Sequence, residues 1–161
     1  MTPVSSKTLE ALATGITAEV AAYVFYVAAA GKAAVELHRE ILERMAGEEK
    51  SHFQILERQH DSLIRSEKWV STADVLKQPG LPEISEDMMA AHQALIGEVE
   101  ECKTALEILR IAYRLEEQAY ETYLGASERI SSEEGRAVFT RLARFEQGHM
   151  KMVKELMAKY K

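Results

Sequence analysis

Residues 45–52 read Met45-Ala46-Gly47-Glu48-Glu49-Lys50-Ser51-His52, and residues 142–149 read Leu142-Ala143-Arg144-Phe145-Glu146-Gln147-Gly148-His149. The two stretches lie 97 residues apart and carry Ala, Glu and His at the same places. The match extends well beyond them. With a shift of 97 and no gap, residues 9–52 and 106–149 share 14 identities over 44 positions. Among them are Leu9/Leu106, Leu12/Leu109, Glu19/Glu116, Ala22/Ala119, Tyr23/Tyr120, Tyr26/Tyr123, Arg39/Arg136, Ala46/Ala143, Glu49/Glu146 and His52/His149. Such self-similarity means two copies of one supersecondary unit.

The nature of the unit follows from what the chain lacks. Of its 161 residues only three are proline, at positions 3, 79 and 82, and the eight glycines are spread thinly. An all-β chain needs frequent turn residues, so long helices are expected, split by one break at Pro79-Gly80-Leu81-Pro82. Apolar positions recur with a helical period, as in Ile41, Leu42, Met45, Phe53, Leu56 and Leu63. Four helices are predicted: about 6–30 with Ser5 or Ser6 as cap, about 32–65, about 104–125, and one from the capping box Ser131-Ser132-Glu133-Glu134 nearly to the end. The unit is thus a helical hairpin, the first spanning about 6–66 and the second about 104–160. A crossover of about 67–103 joins them and carries a short helix near 85–96. The expected fold is all-α, a four-helix bundle of two pseudo-symmetric hairpins with one long connection, forming a single domain over 1–161.

The polar members of the repeat fall on the apolar stripes. Glu49 and His52 are three residues apart, as are Glu146 and His149, so each pair shares a helix face. The stripe runs Leu42, Met45, Glu49, His52, Leu56 in one copy and Leu142, Glu146, His149, Val153 in the other. Glu19 and Glu116 interrupt the stripes of the first and third helices. Four carboxylates and two imidazoles would then meet at mid-bundle. An apolar interior tolerates such charge only if it is neutralised, paired or bound to cations. Two divalent cations balance four carboxylates, and oxygen-rich sites with one imidazole per metal suit iron or manganese. Glu19 and Glu116 would be terminal ligands, Glu49 and Glu146 bridges, and His52 and His149 would each give one nitrogen. A single Glu-x-x-His carries little weight among 23 glutamates and five histidines. A third such pair, Glu57 and His60, has no repeat counterpart and lies about 80° around the helix from Glu49, so it is expected on the surface. The weight lies in two pairs and two single glutamates in one register.

Tyr26 and Tyr123 lie seven residues beyond Glu19 and Glu116, and Tyr23 and Tyr120 four beyond. All four could donate hydrogen bonds to the ligating carboxylates or tune an electron transfer, or fill the core with a satisfied hydroxyl. His38 and His92 are expected on the surface or in packing. Trp69 is expected to pin the crossover to the bundle. Residues 20–30 are apolar nearly all round, so either the crossover or another subunit must cover them, which points to a homodimer or larger assembly. A net charge of −6 argues against nucleic acid. The N-terminal residues lack a signal-peptide core, the longest apolar run has twelve residues, and Cys102 is the sole cysteine. Together these predict a cytoplasmic protein without a membrane span.

These motifs resemble the ferritin-like superfamily, and within it rubrerythrin-type domains, over nearly the whole chain. The resemblance rests on Glu19-x-x-Ala22-x-x-Phe25-Tyr26 with Met45-Ala46-x-Glu48-Glu49-x-x-His52, and on Glu116-x-x-Ala119-x-x-x-Tyr123 with Leu142-Ala143-x-x-Glu146-x-x-His149. It implies a non-haem di-iron centre on the same six residues, with manganese or a mixed pair as alternatives, reacting with O2 or H2O2. Rubrerythrin proper carries four cysteines in a rubredoxin domain. This chain has one, so an external electron donor, rubredoxin-like or other, is implied. Rubrerythrin also has an extra glutamate where Ala119 stands here, so the implied site is symmetric, closer to that of bacterioferritin. Iron oxidation for storage or delivery, a manganese catalase and a hydroxylase use similar ligand sets and are the alternative functions.

Overall fold

The computed structural model describes residues 5–160; Pro3 and the start of the N-terminal segment lie outside them. Four long helices form the bundle: α1 (Ser6–Ala30), α2 (Arg39–Ser66), α6 (Ala105–Arg129) and α7 (Glu133–Ala158). Three short helices, α3 (Thr72–Lys77), α4 (Glu86–Ala90) and α5 (Gln93–Glu101), fill the crossover. Side-chain oxygens set most of the helix starts. Ser5, Ser71, Ser85, Thr104 and Ser132 each accept a hydrogen bond from the backbone N–H three residues on, which satisfies a donor that the helix itself cannot.

Four boundaries differ from the sequence expectation. Helix α2 begins at Arg39, after a 3₁₀ turn over Ala33–His38 in which Val35 leaves helical geometry (φ −116°, ψ 20°). Val35 and His38 are buried, so packing fixes the turn. Helix α6 runs past Gly125 because the next residue, Ala126, is buried in the core. The cap of α7 is Ser132 rather than the box beginning at Ser131, and its partner is the N–H of Gly135 at 3.2 Å. A Cβ at Gly135 would lie 2.6 Å from the Trp69 ring, so the indole occupies the place of a side chain there. Trp69 also meets Phe139 edge to face, with centroids 6.5 Å apart, and so joins crossover to bundle. The single crossover helix is two, α4 and α5, with a turn at Ala91–His92. The bend lays Met88 and Met89 on Val20 and Val24, while Val99 enters a different apolar cluster.

The Pro79–Pro82 break is tied back to α2. Gln54 Nε2 donates to Pro82 O at 3.2 Å and Arg58 Nη2 to Gly80 O at 2.8 Å. Gln59, fully buried, pairs with both backbone groups of Val70. Helix α1 is long and apolar enough by composition to cross a membrane, yet it packs along α2 and α6 as a core helix of the bundle. On its outer face Val20 and Val24 are covered by Ile84, Met88, Met89 and Ile96 of the crossover. Val27, on the same run, stays 52% exposed.

Two apolar clusters fill the bundle, and each long helix contributes to both. Along α1 the change falls between Leu12 and Ala22, along α2 between Ala46 and Leu56, along α6 between Ala112 and Ala119, and along α7 between Ala143 and Val153. Glu19, Glu49 with His52, Glu116, and Glu146 with His149 occupy those four gaps. The polar layer divides the core at mid-height.

Candidate metal centre

All six sequence-predicted ligands are buried, none more than 8% exposed, and they come together. Glu19, Glu49, His52 and Glu146 form one group able to hold a metal ion, and Glu49, Glu116, Glu146 and His149 a second. Within each group the donor atoms all lie within 4.8 Å of one another. Glu49 and Glu146 belong to both groups, the position of bridging ligands. Each imidazole turns Nδ1 inward. His52 Nδ1 lies 3.1 Å from Glu146 Oε1 and 3.5 Å from Glu19 Oε2. His149 Nδ1 lies 2.6 Å from Glu49 Oε1 and 3.3 Å from Glu116 Oε1.

The donor set fits cations. Glu19 Oε2, both oxygens of Glu49, Glu116 Oε2, Glu146 Oε2 and His149 Nδ1 are buried without a hydrogen-bond partner. His149 Nδ1 and Glu49 Oε1 are close but not aligned as donor and acceptor. Orphaned buried acceptors on four helices are costly unless a cation or proton sits among them. Charge repulsion shows in the acidities. Burial and the neighbouring carboxylates Glu19, Glu116 and Glu146 push Glu49 well above the usual carboxylate range. Burial and Glu146 raise Glu116 to about 8. Burial alone would raise Glu19 too, but the His52 charge and its hydrogen bond outweigh it and the net shift is downward. Burial works against a charged His52, yet Glu19 and Glu146 lift it to about 10. His149 is raised likewise by Glu116, Glu146 and Glu49. Without metal, protons do the neutralising.

The tyrosines divide. Tyr26 donates to Glu116 Oε1 at 2.7 Å and Tyr123 to Glu19 Oε1 at 2.5 Å, both fully buried. Each reaches the glutamate of the other hairpin rather than its own. Burial and these carboxylates raise both phenols well above their ordinary value, so they remain protonated donors. Gly15 makes room for one of them: a Cβ there would lie 2.9 Å from the Tyr123 ring. Tyr23 and Tyr120 are only part-buried and pack against the apolar clusters. Among the described residues neither makes a side-chain hydrogen bond to a cluster carboxylate. Glu57 and His60, expected on the surface, are part-buried, and neither belongs to a group able to hold a metal ion. His38, expected on the surface or in packing, is buried against Tyr160, with Nε2 2.5 Å from its hydroxyl. His92 is part-buried.

A cavity of about 580 Å³ lies against Tyr23, and none of the six cluster residues lines it. Another, of about 570 Å³, lies on the seam between α2 and α7 and has both His52 and His149 in its lining. Ile55, Leu76 and Phe145 give it apolar walls, and Arg141 and Arg144 stand beside it. The periodicity of single helices could not reveal this opening, because it depends on the spacing of two helices and the placement of α3. The sequence reading also gave Glu48 no role, although it lies next to Glu49. Its Oε2 is 2.6 Å from His149 Nε2.

A buried layer of four carboxylates and two imidazoles inside a helical bundle defines a ferritin-like carboxylate protein, and comparison with known proteins agrees. The family model described as ferritin-like domain matches residues 7–159, so the chain belongs to the ferritin-like domain family. It is similar to a solved structure titled hypothetical protein Pfu-1136390-001, from Pyrococcus furiosus, with a TM-score of 0.67 and 25% identity. The likeness covers 94% of this chain and 88% of that one. No curated protein matches.

Proposed function

We propose that this protein is a non-haem di-iron oxidoreductase of the ferroxidase or peroxide-reducing type, with Glu19, Glu49, His52, Glu116, Glu146 and His149 as ligands. The reading is carried by the two four-residue groups that share Glu49 and Glu146 and leave buried oxygens without donors. Two ferrous ions held by these residues would supply the electrons that reduce O2 or H2O2. The chain supplies the rest. Tyr26 and Tyr123 hold one oxygen each of Glu116 and Glu19, which leaves the other free to ligate. Protons held by Glu49, Glu116 and the imidazoles leave as metal enters, so loading is coupled to proton release. The cavity lined by His52 and His149 gives a small oxidant an approach to the centre.

An external donor returns the electrons, since Cys102 is the sole cysteine and is buried. The cytoplasm, where a free thiol stays reduced, is the compartment that suits such a donor. Anaerobic titration with ferrous iron, followed by O2 or H2O2, tests the reading. Saturation near two ions per chain and consumption of the oxidant are expected. Bound iron that leaves the oxidant untouched would end the redox assignment.

A further inference from the structure

The repeat allows the two halves of the centre to be compared position by position. The carboxylates, imidazoles and tyrosines match across the pseudo-two-fold axis. The match fails one residue before each bridging-position glutamate, where Glu48 in the first copy answers to Phe145 in the second. Each of these residues meets the histidine of the other half. Glu48 Oε2 lies 2.6 Å from His149 Nε2, and His149 keeps only about a tenth of its side chain exposed. Phe145 stacks on His52, with ring centroids 4.9 Å apart and planes at 29°. Among the described residues, no side chain accepts a hydrogen bond from His52 Nε2.

The chemical consequence is unequal. A carboxylate at Nε2 takes the N–H there, which leaves the Nδ1 lone pair facing Glu49 and Glu116 and adds negative charge behind the ligand. A phenyl ring fixes an imidazole plane but accepts no N–H of this kind. We propose that Glu48 is a positioning residue for His149 and makes the two metal positions unequal. The position of Glu49, Glu116, Glu146 and His149 binds a divalent cation more tightly and fills first. The position of Glu19, Glu49, His52 and Glu146 binds more weakly and exchanges more readily. This rests on the dinuclear reading of the site but not on its redox chemistry.

Cobalt(II) titration of the metal-free protein, followed by calorimetry and visible absorption, tests it. Glu19→Ala leaves the His149 position intact, and Glu116→Ala leaves the His52 position intact. The former is expected to bind one cobalt ion about 10-fold more tightly, since partners of ligating histidines are worth roughly 10–100-fold in affinity. Adding Glu48→Gln should weaken the Glu19→Ala protein by about 10-fold and leave the Glu116→Ala protein unchanged. Adding Phe145→Glu to the Glu116→Ala protein should tighten it. Far-UV circular dichroism checks each metal-free fold, and Glu19→Gln and Glu116→Gln replace any alanine variant that does not fold. Equal affinities at the two positions, or a Glu48→Gln effect on both alike, would overturn the inference. Unequal cobalt affinities in a protein that consumes no oxidant would leave it standing and remove the redox assignment alone.

Discussion

The bundle has two unlike seams through its carboxylate layer. Along α1 and α6 the helices pack directly, and each lends the other a buried tyrosine, Tyr26 to Glu116 and Tyr123 to Glu19. Along α2 and α7 the two histidines face a cavity of about 570 Å³ under α3. The first seam fixes carboxylates by hydrogen bonds from groups that stay protonated. The second leaves the imidazoles within reach of the outside. A centre that must hold metal and also meet a reactant needs both, and the fold assigns them to opposite sides.

The largest expected effect removes what the two ligand groups share. Glu49→Ala with Glu146→Ala takes away the residues common to both groups, and equilibrium dialysis should find no bound iron or cobalt. One ion retained per chain would mean that Glu19, His52, Glu116 and His149 suffice as a site. Next comes pH. Glu116, on the closed seam, and His52, on the open one, both hold protons more firmly folded than unfolded. Their contribution to stability is complete below the unfolded values and is lost as pH rises. The window is 4.5 to about 8 for Glu116 and 6.5 to about 10 for His52. The melting temperature of metal-free protein should therefore fall steadily across that range, and bound metal should flatten the fall. A decline that ended near pH 8 would mean that the His52 proton adds nothing to stability.

Smaller effects separate the tyrosines. Tyr26→Phe or Tyr123→Phe strips a buried carboxylate of its donor and should cost about 1–3 kcal/mol in urea unfolding of the metal-free protein. Tyr23→Phe and Tyr120→Phe should stay within about 0.5 kcal/mol. Equal costs for all four would erase the distinction between a hydrogen-bonded pair and a packing pair. The smallest effect belongs to the open seam. Arg141→Ala and Leu76→Ala, at exposed positions of its cavity, should leave stability within about 0.5 kcal/mol while changing the rate of metal uptake in stopped flow. A stability loss as large as that of the buried tyrosines would show that this seam is packed as firmly as the other.

Much of this was legible in the sequence, for a physical reason. A polar residue on an apolar helical stripe points inward, and the 97-residue repeat sets two such Glu-x-x-His pairs and two glutamates in one register, so the six donor residues could be picked out together. Partnership between helices was not legible. Tyr26 and Glu19 share a face but sit about 10 Å apart along the axis, beyond hydrogen-bond reach. Only the neighbouring helix brings Glu116 level with the phenol. The same holds for Glu48 and Phe145, whose partners lie on the opposite hairpin. The split of the crossover helix was hidden because its bend answers to Val20 and Val24, far earlier in the chain. Gly135, whose N–H the Ser132 cap receives, leaves the Trp69 ring the place of a side chain, which no local motif records.

The covalent crossover has one consequence of a different kind. Two identical hairpins paired as a dimer would be encoded once, and any change beside one histidine would appear beside the other. Joining both copies in a single chain lifts that constraint. Glu48 and Phe145 are inherited independently, so a centre with an inherited two-fold plan is free to evolve two different ends.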